Sequence, residues 1–112
     1  MKRHQIEVTK ARCAAQEMAR AVLQHIEQRS AWSMFNIRDE NSEERDVRRF
    51  SILVLIEYPR RINVSLTCYV HNNDTGNWHH GVVCVTDPRD DKYRQFSCSI
   101  IEGQVAITED EI

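Results

Sequence analysis

Apolar residues recur through the first thirty positions at the spacing of a helix. Ala11, Ala15, Met18, Val22 and Ile26 fall on one side of a 3.6-residue turn, with Ala14 and Ala19 at its edges, while Lys10, Glu17, Arg20, Gln24 and Glu27 take the other side. The spacing predicts a helix over 9–30, with Thr9 as its cap. Few charges on the polar side are placed to pair, so burial has to stabilise this helix. The alanines in its stripe let the backbone approach a sheet closely.

After Ser30 the period changes. Residues 31–37 (AWSMFNI) read as a first strand or as an extension of the helix, and the strand is preferred; 38–46 (RDENSEERD) contains no apolar residue and is expected to be a solvated loop. Phe50 to Tyr58 is almost continuously apolar and β-branched, the pattern of a central strand covered on both faces, and Pro59 ends it. Ile62 to Val70 alternates strictly, so one of its faces is buried.

Asn72 to Asn77 supplies turn-forming residues that should fold the chain back into Trp78–Thr86 as a hairpin. Setting Asn73 against Gly76 places Leu66 opposite Val83 and Val70 opposite His79. A slip by one residue sets Leu66 against Val82 and Val70 against Trp78, and both registers remain open. A loop at Asp87–Asp91 precedes a strand from Tyr93 to Ile101. Glu102-Gly103 then reads as a two-residue turn that brings Val105 opposite Ile100 and Ile107 opposite Cys98. The expected fold is α+β: an N-terminal helix packed on one face of a five- or six-stranded antiparallel meander spanning 47–109, with an acidic tail at 110–112.

A chain of 112 residues with 41% apolar content supports one domain over 1–112, and two cores of half that size would be marginal. No window approaches the roughly 18 apolar residues of a membrane span. A cytoplasmic location is expected, with Cys13, Cys68, Cys84 and Cys98 reduced and buried. The net charge of −2 hides an asymmetry: 12 Lys and Arg against 9 Asp and Glu up to Arg61, then 3 against 8. This is too weak a basic excess to point to nucleic acid, and it suits association between oppositely charged surfaces.

Cys68-x-x-His71 and His79-His80-x-x-x-Cys84 gather donors that zinc prefers. Strand alternation sends Cys68 and His71 to opposite faces, and likewise His79 and His80, so no metal site is expected. His25 could approach a strand cysteine such as Cys98, but a lone histidine beside an apolar stripe is more often packing. With three glycines there is little material for a phosphate loop, and no nucleophile elbow or paired-carboxylate pattern occurs. Neither catalysis nor a cofactor is expected.

Two features remain. Arg48-Arg49 and Arg60-Arg61 flank the apolar strand and read first as charges that discourage it from pairing with other chains. They can also contact a partner. On the outward side of the hairpin, the first register gathers Tyr69 beside His80 and His71 beside Trp78, side chains that often anchor protein interfaces. The expectation is a non-catalytic protein-binding module, a small regulator, inhibitor or accessory factor of the size common among bacterial and phage proteins. Trp78, Tyr69, His71, His80, Arg48, Arg49, Arg60 and Arg61 would contact the partner, and the chain is expected to self-associate as a homodimer through its open sheet edges. A nucleic-acid-binding domain that uses the arginine doublets is the alternative. A small-ligand or catalytic domain with a pocket between helix and sheet is the third reading.

Overall fold

The computed structural model describes residues 3–28, 31–40, 46–57, 60–72, 77–89 and 93–111. Helix α1 spans Arg3–Ile26. It begins before Thr9, which is an interior position and not the cap; nothing from Gln5 to Val8 disfavours a helix, and Glu7 is tied to the sheet by Trp78. The stripe read from the sequence is its buried side. Ala11, Ala15, Met18, Ala19, Val22 and Leu23 have no solvent exposure.

Strands β1 (Trp32–Asp39), β2 (Val47–Ile56), β3 (Ile62–His71), β4 (His80–Thr86), β5 (Arg94–Ile101) and β6 (Gln104–Glu109) form one antiparallel sheet whose spatial order is the chain order. This is the expected α+β meander, with six strands. Of residues 31–37 all but Ala31 enter a strand, and the loss of period there has a local cause. The ladder pairs Met34 with Val54 and then Asn36 with Leu53, so Phe35 is an extra residue in a β-bulge. Trp32, Met34 and Ile37 can therefore all pack on the core despite unequal spacing. Arg38 and Asp39 continue this strand instead of opening the loop; residues 41–45 of that loop lie outside the described residues.

Phe50, Ile52, Val54 and Ile56 of β2 are completely buried against the helix side, as are Val64, Leu66, Cys68 and Val70 of β3 to within 1%. β2 is not central, however, and only one of its faces is covered. It lies next to the β1 edge, and Ser51, Leu53 and Leu55 are half-buried on the side away from α1. A single helix can cover only one face, and among the described residues no other element packs on the second.

The β3–β4 ladder sets Leu66 opposite Val85, Val70 opposite Gly81 and His71 opposite His80. Neither expected register is correct. The first assigned the faces properly but stood two residues off, because Trp78 and His79 leave the ladder: Trp78 is buried near the start of α1, and the His79 carbonyl accepts a bond from the Ile100 amide at 2.7 Å. Residues 73–76 of that turn lie outside the described residues. The β5–β6 hairpin follows the expected register, Val105 against Ile100 and Ile107 against Cys98. Glu102 (φ 51°) and Gly103 (φ 77°) both take the left-handed conformation that a two-residue turn of this hand needs.

Helix α1 lies over strands β2 to β6. Glu7 meets Trp78, Met18 lies on Gly81, and Glu27 pairs with Arg89, whose guanidinium also holds Asp87 at 2.7 Å. That guanidinium keeps the Asp87 carboxyl below its ordinary value, chiefly through the side-chain hydrogen bond. Gly81 allows the close approach. A Cβ there would stand 2.6 Å from the Tyr69 carbonyl oxygen and 2.7 Å from Met18 Sδ. Gly81→Ala should therefore destabilise the fold by about 1–3 kcal/mol in chemical denaturation. Adding Met18→Ala should not restore the loss, because the backbone oxygen remains in the way; an unchanged midpoint in Gly81→Ala would show that the helix does not sit this close.

Candidate partner-binding surface

Strand alternation turns one set of side chains to α1 and leaves the other set on the uncovered face. Cross-strand rows on that face are Arg49–Tyr69–Val82–Ser97–Thr108, then Ser51–Thr67–Cys84–Gln95, then Leu53–Ser65–Thr86. His71 and His80 stand opposite each other in a fourth row, and His80 Nδ1 is 3.1 Å from Ser99 Oγ. Leu53, Leu55, Tyr69 and Val82 are half-buried although nothing in the described structure lies above them. They form an apolar centre. Across all six strands, only Arg38 and Arg49 carry a formal charge toward this side.

The flanks of this centre are built differently. At the β1 end the bulge pushes Phe35 out to 56% exposure, where it lines a shallow depression of about 440 Å³ with Leu55, Arg61, Ile62 and Asn63. Toward β5 the Tyr93 hydroxyl lies 2.7 Å from Cys84 Sγ, to which it donates, and 3.2 Å from Gln95 Oε1. That bond to Cys84, with some desolvation, pushes the Tyr93 phenol up to about 12. Gln95 Nε2 and Ser97 Oγ donate to Asp110 at 2.8 and 2.9 Å, so the acid at the end of β6 is held rather than offered.

Of the residues expected to contact a partner, Tyr69, His71, His80 and Arg49 share the uncovered face, and Arg61 stands at its rim. Arg60 is exposed in the β2–β3 connection. Trp78 does not join them. It is only 4% exposed, and its Nε1 donates to Glu7 Oε2 at 3.0 Å on the helix side. Arg48 is separated from Arg49 by the alternation of the strand: it turns to the helix side, is buried, and donates to Asp39 Oδ2 at 2.7 Å. The doublet is thus one interior ion pair and one surface cation. Tyr58 lies outside the described residues.

Leu53, Leu55, Val82, Cys84, Phe35 and Tyr93 were not among the expected contacts. The signal for the leucines was present in the Phe50–Tyr58 run, which a reading as doubly covered concealed. Phe35 and Tyr93 are lone aromatics at a bulge and a strand end, and no period marks them.

The reactive side chains are dispersed. Cys68 faces α1 while His71, His80 and Cys84 face away, and His79 lies outside the ladder. Among the described residues no three His, Cys, Asp or Glu side chains converge to hold a metal. His25 packs edge-on against Phe96, ring centres 6.1 Å apart. Burial raises the Cys68 thiol well above its ordinary value and pushes Cys98 up to about 11. Cys13 departs from the expectation of four buried thiols. It lies on the exposed side of α1, one turn from the buried stripe.

Two outcomes follow. Trp78→Ala should cost about 3–5 kcal/mol of folding stability, since it leaves a cavity between the sheet and the start of α1; Trp78→Phe should cost much less, and equal melting of all three proteins would place Trp78 at the surface after all. Under native conditions iodoacetamide should modify Cys13 first and reach Cys68 and Cys98 only on global unfolding, as read by peptide mass. No family model, curated protein or solved structure matches this chain, so its functional reading rests on the chemistry of the face itself.

Proposed function

We propose that this chain is a non-catalytic protein-binding module, an accessory or regulatory factor that works by seating the uncovered face of its sheet on a partner protein. One observation carries the reading: a face to which the six strands themselves turn two charged side chains, with Asp110 held at its margin by Gln95 and Ser97, around a half-buried centre of Leu53, Leu55, Tyr69 and Val82. Antiparallel sheets open to water usually alternate apolar residues inward with strongly polar ones outward. Depletion of charge around aromatic and aliphatic side chains is instead the composition of interface centres. Serine, threonine and asparagine around that centre provide hydrogen-bonding groups without the desolvation cost of buried charges.

Arg38, Arg49 and Arg61 at the margins suit acidic groups on the partner's rim, where such charges speed encounter more than they strengthen the complex. The same arginines serve nucleic acid less well. Arg48 is committed to Asp39 inside the protein, so the guanidiniums on this side are few and separated.

The test is affinity capture from the native host with the wild type and with a Leu53→Lys/Tyr69→Lys variant. Both substitutions fall on half-exposed positions and should cost about 1 kcal/mol or less each. Proteins held by the wild type should be missing from the variant while both melt within a few degrees. Identical retained sets would end this reading. A second copy of the chain is one possible occupant of the face, and sedimentation velocity on the two proteins identifies that case.

A further inference from the structure

The two edges of the sheet are not equivalent. On β1 the Phe35 bulge breaks the ladder, and the outward carbonyl of Ile37 is already taken by Arg12 Nη2 at 3.3 Å. β6 has neither device: it contains no bulge, no proline and no lysine, and its sequence is Gln-Val-Ala-Ile-Thr-Glu. The Asp110 amide donates to the Gln95 carbonyl, so even-numbered residues of β6 turn their backbone groups toward β5. Val105, Ile107 and Glu109 turn theirs outward, a row of unused donors and acceptors.

Beside this edge, Gly103, Gln104 and Val105 form a groove of about 360 Å³ with Glu17, Arg20, Ala21 and Gln24 of α1. A seventh strand on β6 would place its helix-side side chains over that groove, next to the half-buried Val105 and Ile107. Within the groove Glu17 and Arg20 offset each other, Arg20 lying 6.0 Å from the centre of the Trp32 ring, so the unbalanced charge is at the ends of the strand. Glu102 and Glu111 are exposed at the two ends of the strand, while Asp110 is held by Gln95 and Ser97 and Arg94 is already paired with Glu109 at 2.7 Å. A second copy of this chain fits poorly: a two-fold pair centred on Ile107 sets Gly103 opposite Glu111 and brings Glu102 alongside the same carboxylate.

We propose that β6 is a docking edge for an extended segment of a partner protein, a run of β-branched residues flanked by lysine or arginine, which adds to the sheet as a seventh strand. Backbone bonds to Val105, Ile107 and Glu109 would hold the segment, and Glu102 and Glu111 would select its basic flanks. This edge is separate from the face proposed above and does not depend on it.

The probe is a displayed library of random peptides about ten residues long, panned against the intact chain. Selected peptides should alternate β-branched residues between basic ends and slow hydrogen exchange at the amides of Val105, Ile107 and Glu109. Ile107→Pro removes one outward donor and leaves the β5 ladder intact, and should weaken binding about tenfold. If that variant unfolds, Glu102→Lys/Glu111→Lys, at two exposed positions, should weaken it about tenfold too and reduce its salt dependence. The Leu53→Lys/Tyr69→Lys variant should bind the peptides normally. Absence of enrichment, peptides without basic residues, or protection elsewhere would overturn the proposal. So would protection of the same three amides by raised protein concentration alone, since the occupant would then be a second copy.

Discussion

Helix α1 reaches the sheet at Gly81, and the molecule is organised around that contact. Six strands spaced about 4.8 Å apart make a sheet far wider than one helix about 10 Å across. The helix has to lie low to seal its middle, and a glycine under Met18 lets it do so. Farther out, larger side chains fill the gap, from Trp32 and Met34 on β1 to Val105 and Ile107 on β6. Among the described residues one helix is the only cover, and it leaves the second face of every strand without a covering element. The functional reading begins with that shortage of covering structure.

How much of this was legible in the sequence varies with the kind of signal. Periodicity gave the helix, its buried stripe and the meander, and Glu102-Gly103 fixed its hairpin because a two-residue turn leaves no freedom of register. The longer β3–β4 connection left register undetermined. Its outcome depended on Trp78, whose indole pairs with Glu7, seventy-one positions earlier in the chain. No local rule could have placed that contact. The Phe50–Tyr58 run misled for a related reason: apolar continuity reports that a strand is apolar on both sides, and whether both sides are covered depends on how many other elements exist.

The same distinction separates the candidate surface from the individual residues first assigned to it. Tyr69, His71 and His80 are on the side that alternation assigns them, and the same alternation, applied to β2, puts Arg49 there and Arg48 opposite. Trp78 and Arg48 are held away from the surface by long-range pairing, one with a carboxylate of the helix and the other with Asp39 of a neighbouring strand. Each withdrawal pairs a polar group on the helix side of the sheet, although Arg48 Nε is buried there without a partner among the described residues. What stays outside is correspondingly poor in charge.

The Phe35 bulge has a consequence for assembly as a whole. A sheet with two open ends can lengthen indefinitely, each added chain presenting a fresh template, and that is the route to fibres. Here one end is distorted by an extra residue and blocked by Arg12. Growth by repeated stacking of identical chains is hindered on that side, which lowers the hazard of carrying an open strand with Val105 and Ile107 at the other margin.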